Sequence, residues 1–304
     1  MNTWFVLINP VAGGKKGLQR WAKLQPLLEA AQIPFTHVIT KDTEHGVHAS
    51  AEAMRAGYNR FIIIGGDGTA NDVINGIMQV EGASLPLICM LPAGTGNDWV
   101  RTIGKAKNDK EMIAGLQKAE GKKHDVGVVE YQAGAQRKQK YFINIAGLGF
   151  DAHVARRLSM GKGLFNGTKL RYQLAILRSL FIYKHSMVHV RCDGREYDLK
   201  TLSIACGICK YNGGGLMQLP EADIADGILD LTIIGSMSKG KMVISLPKLS
   251  DGSFTKMQEV KTDTGKEITF TSDTTLFVEA DGEFLGEAPV TIKILPAAIQ
   301  VLHV

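Results

Sequence analysis

The sequence lacks the features of a disulfide-bonded, membrane-spanning or secreted chain. Four cysteines in 304 residues are too few and too scattered to cross-link the chain, which favours a reducing compartment, by default the cytosol. A helix that spans a bilayer needs about 20 consecutive apolar residues, and the chain contains no such run. Residues 1–10 carry no basic segment ahead of their short apolar run, unlike a secretory signal. We therefore expect a cytoplasmic protein.

A strong excess of charge of one sign is also missing. Lys and Arg number 35 against 30 Asp and Glu, and the net charge of +5 is too small to predict nucleic-acid binding. Hydrophobic residues make up 45% of the chain, enough for a substantial core. At roughly 150 residues per domain, the length predicts two domains.

Residues 1–125 alternate short apolar runs with longer helical patterns. The runs cover residues 4–8, 35–40, 61–64 and 85–90. Parallel strands need crossover connections, and the crossover is usually a helix. This half is therefore predicted to be an α/β domain with a parallel sheet.

Residues 126–289 instead contain short strands separated by polar turns. This spacing predicts an antiparallel β-sandwich with a helical insert near 151–184, whose clearest helix covers 169–183. Residues 290–304 form a last segment that can pack back onto the first domain. The expected strands are 126–131, 141–146, 187–191, 202–206, 228–234, 268–270, 276–279 and 291–295.

Three glycine-rich loops follow predicted strands of the first domain. In an open α/β sheet, ligands bind beyond the carboxyl ends of the strands. Free amides at the start of a helix favour phosphate, and glycine lets the backbone approach it closely. Each loop alone could be an ordinary turn, but together they predict a phosphate site. The loops are Asn9-Pro-Val-Ala-Gly13-Gly14, Gly65-Gly-Asp-Gly-Thr69 and Pro92-Ala-Gly-Thr-Gly-Asn-Asp98.

Asp67 and Asp98 lie inside two of these loops, where a bare carboxylate would repel phosphate. A divalent cation between the charges removes the repulsion, and Mg²⁺ suits this role because it binds through one or two carboxylates plus phosphate oxygens. The sequence has no G-x-x-x-x-G-K-[ST] motif, which excludes an ordinary P-loop protein.

Taken in order along the whole chain, the motifs resemble the diacylglycerol kinase catalytic family, and more closely its bacterial lipid kinases, which are also similar to sphingosine and ceramide kinases. The resemblance implies an α/β domain of the NAD-kinase/diacylglycerol-kinase type, a C-terminal β-sandwich, and an ATP-dependent lipid kinase with its active site in the cleft between the domains. It rests on the three loops and on Asn71-Asp72, Asp125-Val-Gly127, Asn144-Ile-Ala-Gly147, Gly213-Gly-Gly215, Asp226-Gly-Ile-Leu-Asp230 and Asp281-Gly-Glu283.

The resemblance also implies roles for individual residues. Asp67, Asp98 and Asp125 would form an acidic network that holds the catalytic Mg²⁺ through water. Asp281 or Glu283 would be the base that takes the proton from the lipid hydroxyl, and the sequence leaves open which of the two it is. ATP would contact Asn9, Gly13, Thr40, Gly65, Gly66, Asp67, Gly68, Thr69, Ala70, Asn71, Asp72 and Thr95.

A second, structural Mg²⁺ is implied further along the chain. In bacterial members of the family, the positions that match Asp223, Asp226 and Ile228 hold this ion through one carboxylate and backbone oxygens. An ordinary solvated Asp-Gly turn leading into a strand explains the same residues equally simply.

One segment suggests contact with a membrane. Residues 152–192 contain eight Lys or Arg and no Asp or Glu. A helix that packs its apolar face on the core and exposes a basic face to solvent explains this pattern. The more specific hypothesis is that the segment docks on an anionic membrane. The same segment carries an apolar series at helical spacing, Leu170, Leu174, Leu177, Leu180 and Phe181.

Two other functions remain open at this point. NAD kinase shares the Gly-Gly-Asp-Gly-Thr loop but phosphorylates a dinucleotide, and a lipid-binding protein could keep the fold without turnover. The Gly-Thr-Gly-Asn-Asp and Asp-Gly-Glu motifs favour the lipid kinases over NAD kinase, and the intact Asp67, Asp98 and Asp281 argue against a lipid-binding protein without turnover.

Overall fold

A computed structural model describes residues 2–82, 84–94, 96–160, 179 and 182–302, and the chain forms two compact units. Unit 1 consists of Met1–Val126, Ile224–Asp226 and Leu295–Val304, and unit 2 of Gly127–Asp223 and Gly227–Ile294. The chain therefore passes from unit 1 to unit 2 next to the residue at which the sequence pattern changes.

Strands and helices alternate through unit 1. The sheet order is β4-β3-β1-β2, every pairing in it is parallel, and residues 300 and 301 add to the free edge of β4. Residues 13–15 are not helical, so the regular part of α1 begins after Lys15. The elements are β1 (Trp4–Ile8), α1 (Ala12–Ala30), β2 (Phe35–Ile39), α2 (Thr43–Arg55), β3 (Arg60–Gly65), α3 (Asp67–Ile77), β4 (Leu87–Pro92), α4 (Asp98–Ile103) and α5 (Asp109–Lys118).

The central strands of unit 1 are buried because helices cover the sheet. All five residues of β1 and the last five of β3 are buried, as expected for parallel strands with crossover helices. Trp21, Leu24 and Leu28 of α1 pack on this sheet. The sheet and its helices hold the ends of the strands, and the loops that follow them, in fixed positions.

Unit 2 is built mainly from antiparallel strands. Two 3-10 turns, Leu246–Leu249 and Ser253–Lys256, follow the helix α7. The elements are β5 (Gly121–Ala133, beginning in unit 1), β6 (Gln136–Phe142), β7 (Ile145–Gly149), α6 (Phe150–Met160), β8 (Ser186–Cys192), β9 (Arg195–Gly207), β10 (Tyr211–Asn212), β11 (Leu216–Met217), β12 (Leu229–Gly235), α7 (Lys239–Ser245), β13 (Val260–Gly265), β14 (Glu267–Thr271), β15 (Phe277–Ala280) and β16 (Glu283–Leu302, ending in unit 1).

Six of these strands close into a ring, which corrects the expected sandwich. β9 pairs with β7 and β8, β14 pairs with β8 and β16, and β15 pairs with β16 and β7, all antiparallel. The result is a barrel, to which β12 adds along β9, and β13 then pairs with β12. Alternating apolar residues indicate which face of a sheet a side chain occupies, but not whether the sheet closes.

The predicted helix 169–183 and its leucines fall largely on residues 161–178, 180 and 181, which lie outside the described residues. The first part of the predicted insert is α6. Within the described part of the chain, no helix has the length and apolar character needed to cross a bilayer.

Candidate functional site

The glycine loops of unit 1 meet through close backbone contact. A Cβ atom built on Gly94 would lie 2.7 Å from the Cα of Gly66, and one built on Gly13 would lie 1.8 Å from the carbonyl oxygen of Ala93. Gly13 also has a φ of +56°, which favours glycine. Glycine is therefore what allows the loops after β1, β3 and β4 to approach one another.

Hydrogen bonds hold the same three loops. Asn9 Nδ2 donates to Thr69 Oγ1 over 2.9 Å. The amides of Ala93 and Gly94 donate to the Gly65 carbonyl oxygen over 2.7 and 3.2 Å. Five residues predicted at the nucleotide site thus lie together at the carboxyl ends of β1 and β3: Asn9, Gly13, Gly65, Gly66 and Thr69.

Thr40 and Asp72 lie together beside these loops. The Thr40 hydroxyl is buried and donates to the Ile8 carbonyl oxygen over 3.3 Å. A Cβ atom on Gly46 would contact the side chains of both Thr40 and Asp72, so the start of α2 lies against α3 here.

The other predicted nucleotide residues have different surroundings. Ala70 and Asn71 are buried within α3, where Asn71 Oδ1 accepts a hydrogen bond from Asn75 Nδ2 over 3.0 Å. Gly68 is open, since a Cβ atom there would meet nothing within 4 Å. Thr95 lies outside the described residues. Ala70 and Asn71 therefore contribute to the packing of α3 behind the loop.

The carboxylate of Asp67 caps the helix that follows the next loop. Its two oxygens accept the amides of Asp98 and Trp99, over 3.1 and 3.2 Å, in the first turn of α4. This contact joins the loop after β3 to the loop after β4. Each carboxylate oxygen has a further lone pair, which leaves Asp67 able to accept a second hydrogen bond.

Asp98 is buried beside this contact. Its Oδ1 lies 3.4 Å from Arg101 Nε on the same helix. A Cβ atom on Gly96 would lie 3.2 Å from Asp67 Oδ2 and 4.0 Å from Asp98 Oδ2. The two carboxylates therefore flank a glycine whose missing side chain leaves space between them.

The carboxylate of Asp125 contacts the last strand of the chain. Its Oδ1 accepts the amide of Ala297 over 2.6 Å, and its own amide donates to Ile224 over 2.7 Å. These contacts join backbone segments from three parts of the chain, and the role in a metal network that the resemblance implies for Asp125 stays a prediction.

His124 connects Asp125 to the loop after β4. Trp99 Nε1 donates to His124 Nε2 over 3.0 Å, so the ring proton lies on Nδ1, which donates to the Asp125 carbonyl oxygen over 2.5 Å. Burial lowers the pKa of His124 to about 4, against a smaller opposing effect of the bond to Asp125. The imidazole is thus neutral at ordinary pH and serves as a fixed link.

In unit 2, Asp281 is an anchor for the backbone. Its carboxylate accepts the amides of Ile143, Asn144 and Ile145 over 3.0, 3.0 and 3.2 Å. Because these amides bond to the carboxylate, they are not available for pairing with a neighbouring strand. This explains why the predicted strand 141–146 is divided into β6 and β7. Asp281 has a φ of +49°, a left-handed conformation that Asp tolerates better than most residues.

Glu283 follows two residues later and is open to solvent. Its side chain is 53% exposed, and its Oε2 lies 2.8 Å from Lys140 Nζ. The two carboxylates that the sequence could not separate thus differ: Asp281 is engaged by three amides, whereas Glu283 has one ion pair. Lys140 was not predicted at the site, because a lysine on an exposed hairpin strand has no distinguishing pattern.

A buried carboxyl group next to this turn and a half-buried one near it, Glu279 and Asp151, were also missed. Glu279 is 2% exposed and accepts the Gly282 amide over 2.7 Å. Burial raises the pKa of Glu279 well above its usual range, and the charges of Asp151 and Asp281 add to the effect. Burial also raises the pKa of Asp151, although Ser203 and Gln218 donate to it. The sequence signal that could have identified Glu279 is a charged residue within the apolar run Leu-Phe-Val-Glu-Ala.

Asp223 and Asp226 are exposed and Ile228 is half-buried. Across the described residues, no three or more His, Cys, Asp or Glu side chains converge in a group that could hold a metal ion. A metal in this loop would therefore need backbone oxygens as well as carboxylates.

Comparison with solved structures identifies the fold. A crystal structure of a diacylglycerol kinase from Bacillus anthracis is similar with a TM-score of 0.74 over 100% of this chain and 97% of that one, at 22% identity. Yeast NADH kinase is similar with a TM-score of 0.56 at 9% identity, over 99% and 82% of the two chains. The fold is that of the diacylglycerol kinase and NAD kinase group.

Sequence comparisons then give the family. Residues 3–129 match the model for the diacylglycerol kinase catalytic domain, and residues 144–303 match the YegS C-terminal NAD kinase beta sandwich-like domain. A diacylglycerol kinase from Mycobacterium tuberculosis is 30% identical over 98% of this chain and 94% of its own. A Bacillus subtilis protein described as a candidate lipid kinase, YtlR, is 28% identical over 99% of both chains. This chain belongs to the diacylglycerol kinase family and is a lipid kinase, a phosphotransferase.

Proposed function

We propose that this lipid kinase transfers the γ-phosphoryl group of ATP to a hydroxyl of diacylglycerol or a related lipid. The observation that carries the proposal is the convergence of three glycine loops at the strand ends of unit 1. Phosphoryl transfer asks mainly for positioning and charge stabilisation, and backbone amides supply both to a triphosphate.

The nucleotide would bind along the loops after β1, β3 and β4. The first turn of α3 begins inside Gly65–Thr69, and the positive end of a helix favours phosphate. Gly68 leaves that turn open. Asn9 and Thr69, already bonded to each other, would hold the loops in place when the nucleotide enters, and Thr40 and Asp72 would lie at the side.

Mg²⁺ suits the space between Asp67 and Asp98. Both residues offer hard oxygen atoms, and the glycine between them has no side chain that would block an ion. When bound, the ion would neutralise the charge that develops on the phosphates during transfer. Asp125, in contrast, would support the site through His124 and Trp99.

Glu283 is the base in this proposal. A general base must reach the proton that it removes, and Glu283 is the accessible carboxylate of the Asp-Gly-Glu turn. Asp281 would fix the turn through the amides of residues 143–145. Lys140, through its ion pair with Glu283, would hold that carboxylate in position to accept the proton of the lipid hydroxyl.

A structural Mg²⁺ held by Asp223, Asp226 and the backbone oxygen of Ile228 is part of the proposal. Carboxylate and carbonyl oxygens are ligands that Mg²⁺ accepts. The backbone of this loop is tied to Asp125 through the bond from the Asp125 amide to Ile224. An ion here would stiffen the loop and, through it, the strand that carries Asp125.

Incubation with γ-labelled ATP and a panel of acceptors tests the proposal. The panel is diacylglycerol, phosphatidylglycerol, sphingosine, ceramide and NAD, each with Mg²⁺. We expect label in a lipid and none in NAD. Label in NAD alone would replace the proposal by a dinucleotide kinase, and absence of label with all acceptors, despite bound ATP, would favour a lipid-binding protein without turnover.

A further inference from the structure

A surface formed by α7 and the 3-10 turn after it combines exposed apolar side chains with lysines that are exposed or, at Lys239, half-buried. We call it the 239–248 surface, and it consists of Lys239, Lys241, Val243, Ile244, Leu246 and Lys248. The twenty residues 231–250 include three lysines and no Asp or Glu. In sequence this segment lies beyond the basic stretch 152–192, although Lys239 contacts Tyr183 of that stretch.

The apolar residues of this surface are unusually open. Ile244 is 77% exposed, Leu246 41% and Val243 37%. Met242, between them in sequence, is 4% exposed and packs with Leu202. Met242 thus fixes α7 to unit 2, while Val243, Ile244 and Leu246 are exposed to solvent. Exposed aliphatic residues grouped in this way commonly mark an interaction site.

The charges around these residues are mainly positive. Lys248 is exposed beside Leu246. Lys241 forms an ion pair with Glu259, and Lys239 Nζ donates to the Tyr183 carbonyl oxygen over 3.0 Å. Residues 238–259 contain four lysines and two acidic residues, so the segment keeps a net positive charge even after pairing.

We propose that the 239–248 surface docks this lipid kinase on an anionic phospholipid bilayer. Val243, Ile244 and Leu246 enter the boundary between headgroups and acyl chains, and the lysines contact lipid phosphates, as in other interfacial helices. A second copy of the chain fits this surface poorly, because two such faces would bring lysines against lysines. The inference rests on the lipid acceptor proposed above, since a diacylglycerol-like substrate resides in the bilayer.

Vesicle co-sedimentation without nucleotide tests the proposal apart from turnover. The probes are vesicles of phosphatidylcholine alone and of phosphatidylcholine mixed with phosphatidylglycerol. Leu246→Glu is compared with Leu85→Glu in unit 1, because both leucines are 41% exposed. We expect Leu246→Glu to weaken binding to the anionic vesicles by about tenfold or more, and Leu85→Glu to leave it unchanged.

A second pair of variants tests the charge. Lys248→Ala is expected to weaken binding to anionic vesicles by about fivefold and to have no effect on neutral ones, whereas Lys110→Ala, also exposed, changes neither. Ile244→Ser is a milder apolar variant, which keeps the test valid if Leu246→Glu melts at a lower temperature.

Three results would overturn the proposal. The first is that the Leu246 and Leu85 variants bind vesicles equally and that Ile244→Ser also binds as the wild type does. The second is stronger binding to neutral than to anionic vesicles. The third is a concentration-dependent dimer in sedimentation velocity that Leu246→Glu abolishes. Turnover of a short-chain lipid dispersed as monomers is expected to stay the same in Leu246→Glu, which separates a docking defect from a failure of the proposed kinase reaction.

Discussion

Asp281 and Glu283 are two residues apart, yet their carboxylates have different surroundings. Three backbone amides hold Asp281, while Glu283 faces solvent and Lys140. A carboxylate that accepts several amides is stabilised in its charged form and has little freedom to reach a substrate. We therefore expect Asp281 to have a structural role and Glu283 a chemical one.

Asp281→Asn is therefore expected to reduce the free energy of unfolding by about 2 kcal/mol. Asn tolerates the left-handed φ as well as Asp does, so the change isolates the loss of charge and of one acceptor oxygen. Chemical denaturation measures the effect, with Asp273→Asn, at an exposed position, as the control. Equal stability of the two variants would contradict the anchoring role.

Glu279 gives a prediction about pH. Because its pKa is raised in the folded chain above the ordinary value of 4.5, its contribution to stability is present below that value and is lost as the pH rises through the folded value. Glu279→Gln removes this titration. We expect the melting temperature of the variant to fall less than that of the wild type between about pH 5 and about pH 9.

Glu196→Gln serves as the control for Glu279→Gln, since Glu196 is exposed on β9. Its melting temperature should follow the wild-type pH dependence. If the Glu279 variant followed it as well, Glu279 would not be protonated in the folded protein.

At the scale of elements, the glycine loops set the distance between strand ends. Gly94→Ala would place a Cβ atom 2.7 Å from the Cα of Gly66, so the loops after β3 and β4 must separate. We expect ATP affinity, measured by calorimetry, to fall by at least about tenfold. Gly240→Ala is the control, because a Cβ atom there meets nothing within 4 Å. Unchanged ATP affinity in Gly94→Ala would show that the close approach of these loops is not needed.

The alternation of apolar runs and helical patterns was enough to predict the strands of unit 1 to within about two residues. It failed at 141–146, because the amides of residues 143–145 bond to a carboxylate that lies more than a hundred positions away. It also gave no indication that β9 and β16 are long enough to close a barrel. Contacts between residues distant in sequence leave no local pattern.

The candidate site was predicted in the same uneven way. Glycine and Asp motifs located the loops of unit 1 because their chemistry is local. The engagement of Asp67 with α4 and of Asp125 with Ala297 could not be inferred, since both depend on how separate segments meet. Lys140 was missed for the same reason.

At the scale of the whole molecule, the proposed structural Mg²⁺ predicts a metal-dependent stability. Removing Mg²⁺ with a chelator, with no nucleotide present, should lower the free energy of unfolding by about 2 to 3 kcal/mol if the ion is at about a hundred times its dissociation constant. Asp223→Asn and Asp226→Asn should remove most of this difference. Thermal melting with and without chelator measures it, and identical curves for the wild type would exclude the ion.

The central claim is that Glu283 accepts the lipid proton while nucleotide binding depends on the loops of unit 1. The most direct test is the turnover of γ-labelled ATP and lipid by Glu283→Gln, with Glu287→Gln, also exposed on β16, as the matched control. We expect kcat to fall by about 10²- to 10⁴-fold in Glu283→Gln alone, with the Kd for ATP unchanged in both variants. Full turnover by Glu283→Gln, or an equal loss in both variants, would contradict it.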